Sequence, residues 1–246
     1  MGLVVALSFL TVLSLPGGKQ GSPLDVGRSQ VFFPVAGLLV GLAMGGLWFL
    51  LSLVFAAPVV AAAVVLAWVA VTGALHFDGL ADSADALFLS GDAQRRLAVL
   101  KDPHVGAFGL AAGAGILLLK FAAVLALPPG SAVPALAVAG ALGAWAMCLA
   151  IYSFPYVMGR GGLGDAFRAA RRPWMIITAS AVTLATSLLL LGVVAGAVMA
   201  LLGLLVTLMV GRYATARLTG LTGDVYGAIG ELSQVAVLVA AGPLLG

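Results

Sequence analysis

Seven long apolar runs, joined by two different kinds of connection, constrain this chain more than any other feature. The runs cover residues 32–55, 58–77, 108–127, 133–154, 174–192, 193–211 and 232–245. Apart from the short last run, each has about the 20 residues that a helix needs to cross a membrane. The chain is 63% hydrophobic and 9% charged, whereas about 25% of the residues of a soluble domain are charged. We therefore predict an all-α, polytopic integral membrane bundle of about seven transmembrane helices, with residues 1–246 forming a single membrane-embedded catalytic domain.

Charge separates the connections into two sets. One set contains every charged residue of the chain except Lys120, and it comprises residues 16–30, 78–107, 155–173 and 212–231. The other set contains no charge, and it comprises the turns at 56–58, 128–133 and 192–193. If successive helices alternate in direction, the charged connections all lie on one side, which the positive-inside rule places in the cytoplasm. We expect a protein of the cytoplasmic (inner) membrane whose active site faces the cytoplasm. We relate the net charge of +3 to this membrane topology and not to the binding of nucleic acid.

The N-terminal segment differs from the seven runs in length. Residues 1–15 are apolar but too short to span the membrane, and Pro16 follows them. We predict a short re-entrant or interfacial helix there, followed by a loop at 16–30. Because this segment has no basic n-region, we do not interpret it as a cleaved signal peptide.

Three of the nine acidic residues, Asp78, Asp82 and Asp85, follow one another at offsets of four and seven residues. On a helix these offsets fall within roughly 60° of one another, so the three carboxylates share a face. Unpaired carboxylates would repel one another, and oxygen ligands of this kind suit Mg²⁺. The alternative is a solvated helix end.

A second acidic pair, Asp224 and Glu231, has the same seven-residue spacing and lies on the same predicted side of the membrane. We predict that the two acidic blocks form one site. The proposed catalytic residues are Asp78, Asp82, Asp85, Asp224 and Glu231, and the first four are the proposed Mg²⁺ ligands. In the alternative interpretation, Asp224 and Glu231 pair with Arg212 and Arg217 to fix the last helix.

Basic and glycine-rich segments accompany the acids in the polar connections. Arginine, lysine and open glycine turns suit the binding of phosphate oxygens. The residues that we assign to ligand binding are Lys101, Asp102, His104, Lys120 and Arg160. Lys120 lies in the middle of an apolar run, so it is either functional or paired with an acid for structure alone. Acids, bases and glycine turns together indicate Mg²⁺-dependent phosphoryl transfer at the membrane surface.

Several motifs, in order along nearly the whole chain, resemble those of the cobalamin synthase (adenosylcobinamide-GDP ribazoletransferase) family. They are Phe9-Leu-Thr11 with Pro16, Phe32-Phe-Pro34-Val-Ala-Gly37, His76-Phe-Asp78-Gly-Leu-Ala-Asp82-Ser-Ala-Asp85, Leu100-Lys101-Asp102 to Gly106-Ala-Phe-Gly109, Gly162-Leu-Gly164, and Thr222-Gly223-Asp224 to Glu231-Leu. The aspartate block is the most specific of these motifs. The chain departs from the family's usual pattern at Ala86, where glycine is usual, and at Pro103-His104, where arginine is usual.

The resemblance implies both a reaction and a set of partners. The 5′-hydroxyl of α-ribazole, or of its 5′-phosphate, would attack the cobinamide-side phosphorus of adenosylcobinamide-GDP, and GMP would leave. The family needs Mg²⁺. The expected partners are these two substrates and the lipid bilayer, with no nucleic acid, and a homo-oligomer is left open.

Two other functions remain as alternatives. The Asp-Gly pair is similar to part of the metal motif of CDP-alcohol phosphotransferases, but that motif has arginine where this chain has Asp82. A transporter would more often place charges in the middle of the membrane, where this chain has only Lys120.

Overall fold

The computed structural model describes residues 1–18, 22–157 and 163–246, and within these ranges it consists of helices joined by turns and loops. It contains the α-helices α1 (Gly2–Leu10), α2 (Pro23–Ser29), α3 (Phe33–Ser52), α4 (Ala57–Val71), α5 (Leu75–Phe88), α6 (Ala93–Val99), α7 (Ala107–Leu125), α8 (Ala132–Ser153), α9 (Leu163–Ala170), α10 (Pro173–Leu191), α11 (Val193–Leu218) and α12 (Gly223–Leu245). A 3₁₀ turn (Gln30–Phe32) joins α2 to α3. No strand occurs in the described ranges, so the predicted all-α class is confirmed.

Six helices of the described chain are long and apolar enough to cross a membrane, namely α3, α7, α8, α10, α11 and α12. A seventh span is possible if α4 and α5, which are bent by 87° to each other, are counted together. This agrees with the prediction of about seven transmembrane helices. The last span is longer than the apolar run 232–245, because Thr222 caps α12 by accepting a hydrogen bond from the Val225 N–H. Because the first turns of α12 are polar, the hydropathy of the sequence did not indicate that the helix starts there.

Helix α8 lies at the centre of the bundle and packs against α3, α10, α11 and α12. Its approach to α3 is close, because a Cβ at Gly37 would lie 2.2 Å from the Gly140 carbonyl oxygen. Small residues at such a crossing allow two backbones to approach each other in a membrane.

The charged connections hold more helix than the sequence analysis predicted. The short helix α1 was expected, but residues 16–30 are not all loop, because Ser22 and Asp25 form a capping box that starts α2. Helix α9 lies within 155–173. The sequence Ser90-Gly-Asp-Ala does predict a short helix within 78–107 with Ser90 as its cap; that helix is α6, and its N-cap is Asp92 instead.

The predicted span 58–77 is also wrong at its end, because α4 stops at Val71. Gly73 and Ala74 adopt positive φ angles of 59° and 57°, and the chain bends by 87° before α5 starts at Leu75. Helix α5 therefore turns away from α4 and carries the aspartate block on a separate element. We regard α4 as the membrane-embedded part and α5 as a helix across the ends of the spans.

Candidate active site

Two glycines allow α5 and the start of α12 to cross in direct contact. A Cβ at Gly79 would lie 2.8 Å from the backbone oxygen of Asp224, and a Cβ at Gly227 would lie 3.1 Å from the Cα of His76. Any larger residue at either position would push the helices apart. The crossing places Asp224 beside the aspartates of α5, although the two segments are far apart in sequence.

Four carboxylates meet at this crossing. Burial, together with the neighbouring charges of Asp78, Asp224 and Asp85, raises the pKa of Asp82 to about 6. The structure thus brings together the four residues that the sequence analysis named as metal ligands. Their mutual repulsion is the electrostatic setting that a bound cation relieves.

The carboxylates fit Mg²⁺ in their chemistry, without forming a closed cage. In the part of the chain that the structure describes, no three Asp, Glu, His or Cys side chains converge tightly enough to form a complete metal site. Mg²⁺ is usually held by one or two carboxylates together with water and substrate phosphates, so a complete protein cage is not required. The Thr222 hydroxyl donates a hydrogen bond to Asp224 (3.1 Å) and orients that carboxylate.

Asp85 has a further role that the spacing of the aspartates did not predict. Its two carboxylate oxygens accept hydrogen bonds from the backbone N–H groups of Gly106 (2.7 Å) and Gly109 (2.9 Å). It therefore satisfies otherwise unpaired donors at the N-terminus of α7. A Cβ at either glycine would collide with the Asp85 carboxylate, which explains the glycines of this segment.

The segment before α7 holds the expected phosphate-binding residues Lys101, Asp102 and His104. All three are exposed. Asp102 accepts hydrogen bonds from the ring (2.7 Å) and from the backbone N–H (3.0 Å) of His104, and these bonds lower its pKa. Asp85 fixes the C-terminal end of this segment at Gly106 beside α5. Arg160, which also belongs to the predicted set, lies outside the described residues.

Glu231 and Lys120 form an ion pair inside the bundle, with side chains only 3% and 2% exposed. Lys120 also donates to the Gln234 side chain (3.0 Å), and its Nζ lies 5.4 Å from the centre of the Trp68 ring. Glu231 is roughly 10 Å deeper along α12 than Asp224. It is not among the acids that raise the pKa of Asp82.

The alternative pairing of the acids with Arg217 does not hold for Glu231, whose cationic partner is Lys120. Arg217 instead donates to the Leu87 carbonyl oxygen (2.9 Å) and lies over the Tyr213 ring. Arg96 donates to the carbonyl oxygens of Ala86 and Leu87. Two arginines therefore stabilise the C-terminal end of α5, where cations interact favourably with the helix dipole.

A cavity of about 260 Å³ adjoins the carboxylates. Asp224 and His76 contribute to its wall, together with the aromatic rings of Phe9, Phe33, Tyr156, Phe167 and Tyr226. The sequence analysis missed this cavity. Its aromatic residues come from segments that are far apart in sequence. The one sequence signal for a shared site is that these residues lie in or beside the acidic, glycine-rich and N-terminal motifs.

Comparison with known proteins shows the family to which this chain belongs. A family model described as cobalamin-5-phosphate synthase matches residues 2–242. The chain belongs to that family.

Three relatives are each named adenosylcobinamide-GDP ribazoletransferase. The first, from Pseudomonas entomophila, is 41% identical over 96% of both chains. The second, from Pseudomonas fluorescens, is 39% identical, also over 96% of both chains. The third, from Roseiflexus sp., is 36% identical over 95% of this chain and 86% of its own length. No solved structure matches.

Membership of the cobalamin-5-phosphate synthase family confirms the resemblance drawn from the sequence motifs. The match covers both acidic blocks and all the aromatic residues of the cavity. The candidate site therefore lies within the matched part of the chain.

Proposed function

We propose that this protein is a Mg²⁺-dependent adenosylcobinamide-GDP ribazoletransferase of cobalamin nucleotide-loop assembly. The observation that carries the proposal is the meeting of Asp78, Asp82 and Asp85 on α5 with Asp224 on α12, which raises the pKa of Asp82. A site of four acids cannot accept a diphosphate donor unless cations accompany it. The family and the names of the relatives supply the identity of the donor and the acceptor.

In the proposed reaction, a ribose hydroxyl of the acceptor attacks the phosphorus on the cobinamide side of the donor. A new P–O bond forms, the bond from that phosphorus to the bridging oxygen breaks, and GMP leaves with that oxygen. The hydroxyl proton passes to a carboxylate or to water.

The attacking hydroxyl differs from the one expected from the resemblance. The family description names cobalamin-5-phosphate, and in that product the 5′ oxygen already carries a phosphate. One of the secondary ribose hydroxyls must then attack, not the 5′-hydroxyl.

The described residues divide this work between them. Bound Mg²⁺ would neutralise the diphosphate and the leaving GMP. Asp78, Asp82 and Asp224 would hold the metal. Asp85 positions the segment before α7, from which Lys101 can reach outer phosphate oxygens. The Glu231–Lys120 pair fixes α12 against α7 below the site.

We propose that the site faces the cytoplasm, because the described cations outside the membrane interior are all at the same end of the bundle as the carboxylates. Cysteines at Gln94 and Gly130 test this orientation, since the first is exposed beside the site and the second is exposed in the uncharged turn at the other end. The native Cys148 is buried and should stay silent. In intact cells, a membrane-impermeant thiol reagent should label Gly130→Cys and should not label Gln94→Cys. The reverse pattern would contradict a cytoplasmic site.

The raised pKa of Asp82 predicts a pH dependence of metal binding. With its pKa near 6, Asp82 is ionised above that pH and becomes protonated as the pH falls through it. Proton and metal then compete for the same carboxylate, so the apparent Mg²⁺ affinity should fall by about tenfold per pH unit below 6. Mg²⁺ titrations between pH 5 and 8 measure this. An apparent affinity that stays constant over the whole range would exclude Asp82 as a ligand.

The activity itself is tested by GMP release from the purified protein in lipid nanodiscs. We expect release only when adenosylcobinamide-GDP, α-ribazole (or its 5′-phosphate) and Mg²⁺ are all present, and we expect EDTA to abolish it. A CDP-alcohol donor with a lipid acceptor serves as the control pair and should release no CMP. Release of CMP from that pair, without release of GMP from the first, would overturn the proposal.

A further inference from the structure

The aromatic cavity beside the acids takes no part in the proposed binding of Mg²⁺ and phosphate. Three phenylalanine rings, Phe9, Phe33 and Phe167, pack as one cluster with centroids 5.2–5.6 Å apart. Tyr156 and Tyr226 form a second, stacked pair at 6.4 Å. The cavity lies against both groups, and flat heterocycles stack on rings of this kind.

One residue of the wall, His76, has a buried polar atom that lacks a partner in the described part of the chain. The Nε2 atom of His76 is buried and has no hydrogen-bond partner among the described residues, and His76 is only 6% exposed. Buried polar groups in proteins are nearly always satisfied, so an orphan calls for a ligand or a water molecule. Each nitrogen of an imidazole can either donate or accept one hydrogen bond, according to the tautomer.

Building on the proposed function, we propose that this cavity binds the base of the acceptor nucleoside, with His76 as its hydrogen-bonding partner. The base of α-ribazole is an alkylated benzimidazole, a flat apolar bicycle with a single free ring nitrogen. An aromatic wall with one orphan imidazole nitrogen matches that polarity. Asp224 also lines the cavity, so a nucleoside bound there has its ribose next to the carboxylates.

The other aromatic groups of the substrates fit less well. Guanine carries polar atoms along most of its edge, and a wall formed largely by apolar and aromatic side chains would leave several of them unpaired. The corrin macrocycle is far too large for a cavity of about 260 Å³, which is just below the ~300–1,000 Å³ of typical ligand sites.

The competing explanation is a water molecule. His76 also lines a void of about 20 Å³ that Gln234 borders, and such a void has room for one water. Under that explanation His76 has a structural role, and its loss would not alter the use of the acceptor.

Two variants and one matched control separate these explanations. His76→Phe keeps a flat ring and removes the hydrogen bond, and since Nε2 is unpaired in the protein, folding should tolerate the change. Gly223→Leu adds a side chain at the exposed edge of the cavity, where a Cβ would meet no atom within 4 Å. Gly46→Leu is the control, because a Cβ at Gly46 on α3 likewise meets nothing within 4 Å.

The KM of each substrate should be measured separately by GMP release in nanodiscs. We expect both cavity variants to raise the KM for α-ribazole by about tenfold or more and to leave the KM for adenosylcobinamide-GDP within about twofold. Gly46→Leu should change neither. A rise in the donor KM instead, or an unchanged acceptor KM in His76→Phe, would overturn the proposal.

The wild-type protein gives a test that does not depend on the folding of variants. Free 5,6-dimethylbenzimidazole should inhibit competitively against α-ribazole, and free guanine should not. Inhibition that is not competitive with α-ribazole, or equal competition by guanine, would overturn the base assignment. These inhibition results can be obtained only if the wild-type protein releases GMP. A failure of the proposed function is therefore distinguishable, because the wild-type protein would then release no GMP.

Discussion

Replacing Asp82 with asparagine should lower GMP release by about a thousandfold while the protein still folds. The loss corresponds to about 4 kcal/mol of transition-state stabilisation, the scale on which a metal stabilises developing charge. Asp82 interacts with all three of the other acids, since the charges of Asp78, Asp224 and Asp85 all raise its pKa. An amide at this position removes like-charge repulsion, so the thermal midpoint should stay the same or rise.

The matched control is Asp25→Asn, since Asp25 is an exposed acid on α2 whose bonds are to Ser22 at the helix start. An asparagine side-chain oxygen can still accept the hydrogen bond from the Ser22 N–H, so this variant should keep activity within about twofold of wild type. Near-normal turnover of Asp82→Asn at saturating Mg²⁺ would remove Asp82 from the metal site.

Replacing Lys120 with methionine should destabilise the protein by about 3–5 kcal/mol. The change leaves the Glu231 carboxylate buried without a cation, and breaking a buried ion pair from one side has a cost of this size. The double variant Lys120→Met with Glu231→Gln removes both charges and should recover most of the lost stability. Thermal unfolding in nanodiscs measures both effects.

The same double variant decides the role of Glu231, which the sequence analysis named as catalytic. If the ion pair only fixes α12 against α7, turnover per folded molecule in the double variant should remain within a few-fold of wild type. A loss as large as that of Asp82→Asn, with stability restored, would instead place Glu231 in the chemistry.

Much of the fold is predictable from sequence because the membrane simplifies the problem. A span must satisfy its own backbone hydrogen bonds, so a long apolar run has few alternatives to a helix. The separation of charged connections from uncharged turns then gave the number and alternation of the helices. Helical spacing similarly placed Asp78, Asp82 and Asp85 on one helix, α5.

The parts that could not be predicted depend on contacts between distant segments. The break between α4 and α5 rests on positive φ angles at Gly73 and Ala74, and alanine gives no warning of such a conformation. The bonds from Gly106 and Gly109 to Asp85 and the pairing of Lys120 with Glu231 are visible only once α7 lies against its neighbours. The cavity likewise needs rings from α1, α3, α9 and α12 together.

The central claim is that α5 and α12 share one cation site, and Mn²⁺ binding followed by electron paramagnetic resonance tests it most directly. The measurement needs purified protein with adenosylcobinamide-GDP and no acceptor, so that binding is observed without turnover. We predict that Asp82→Asn on α5 and Asp224→Asn on α12 each weaken Mn²⁺ binding by at least about tenfold, whereas Asp25→Asn leaves it unchanged. Wild-type Mn²⁺ affinity in folded Asp224→Asn would contradict the shared site.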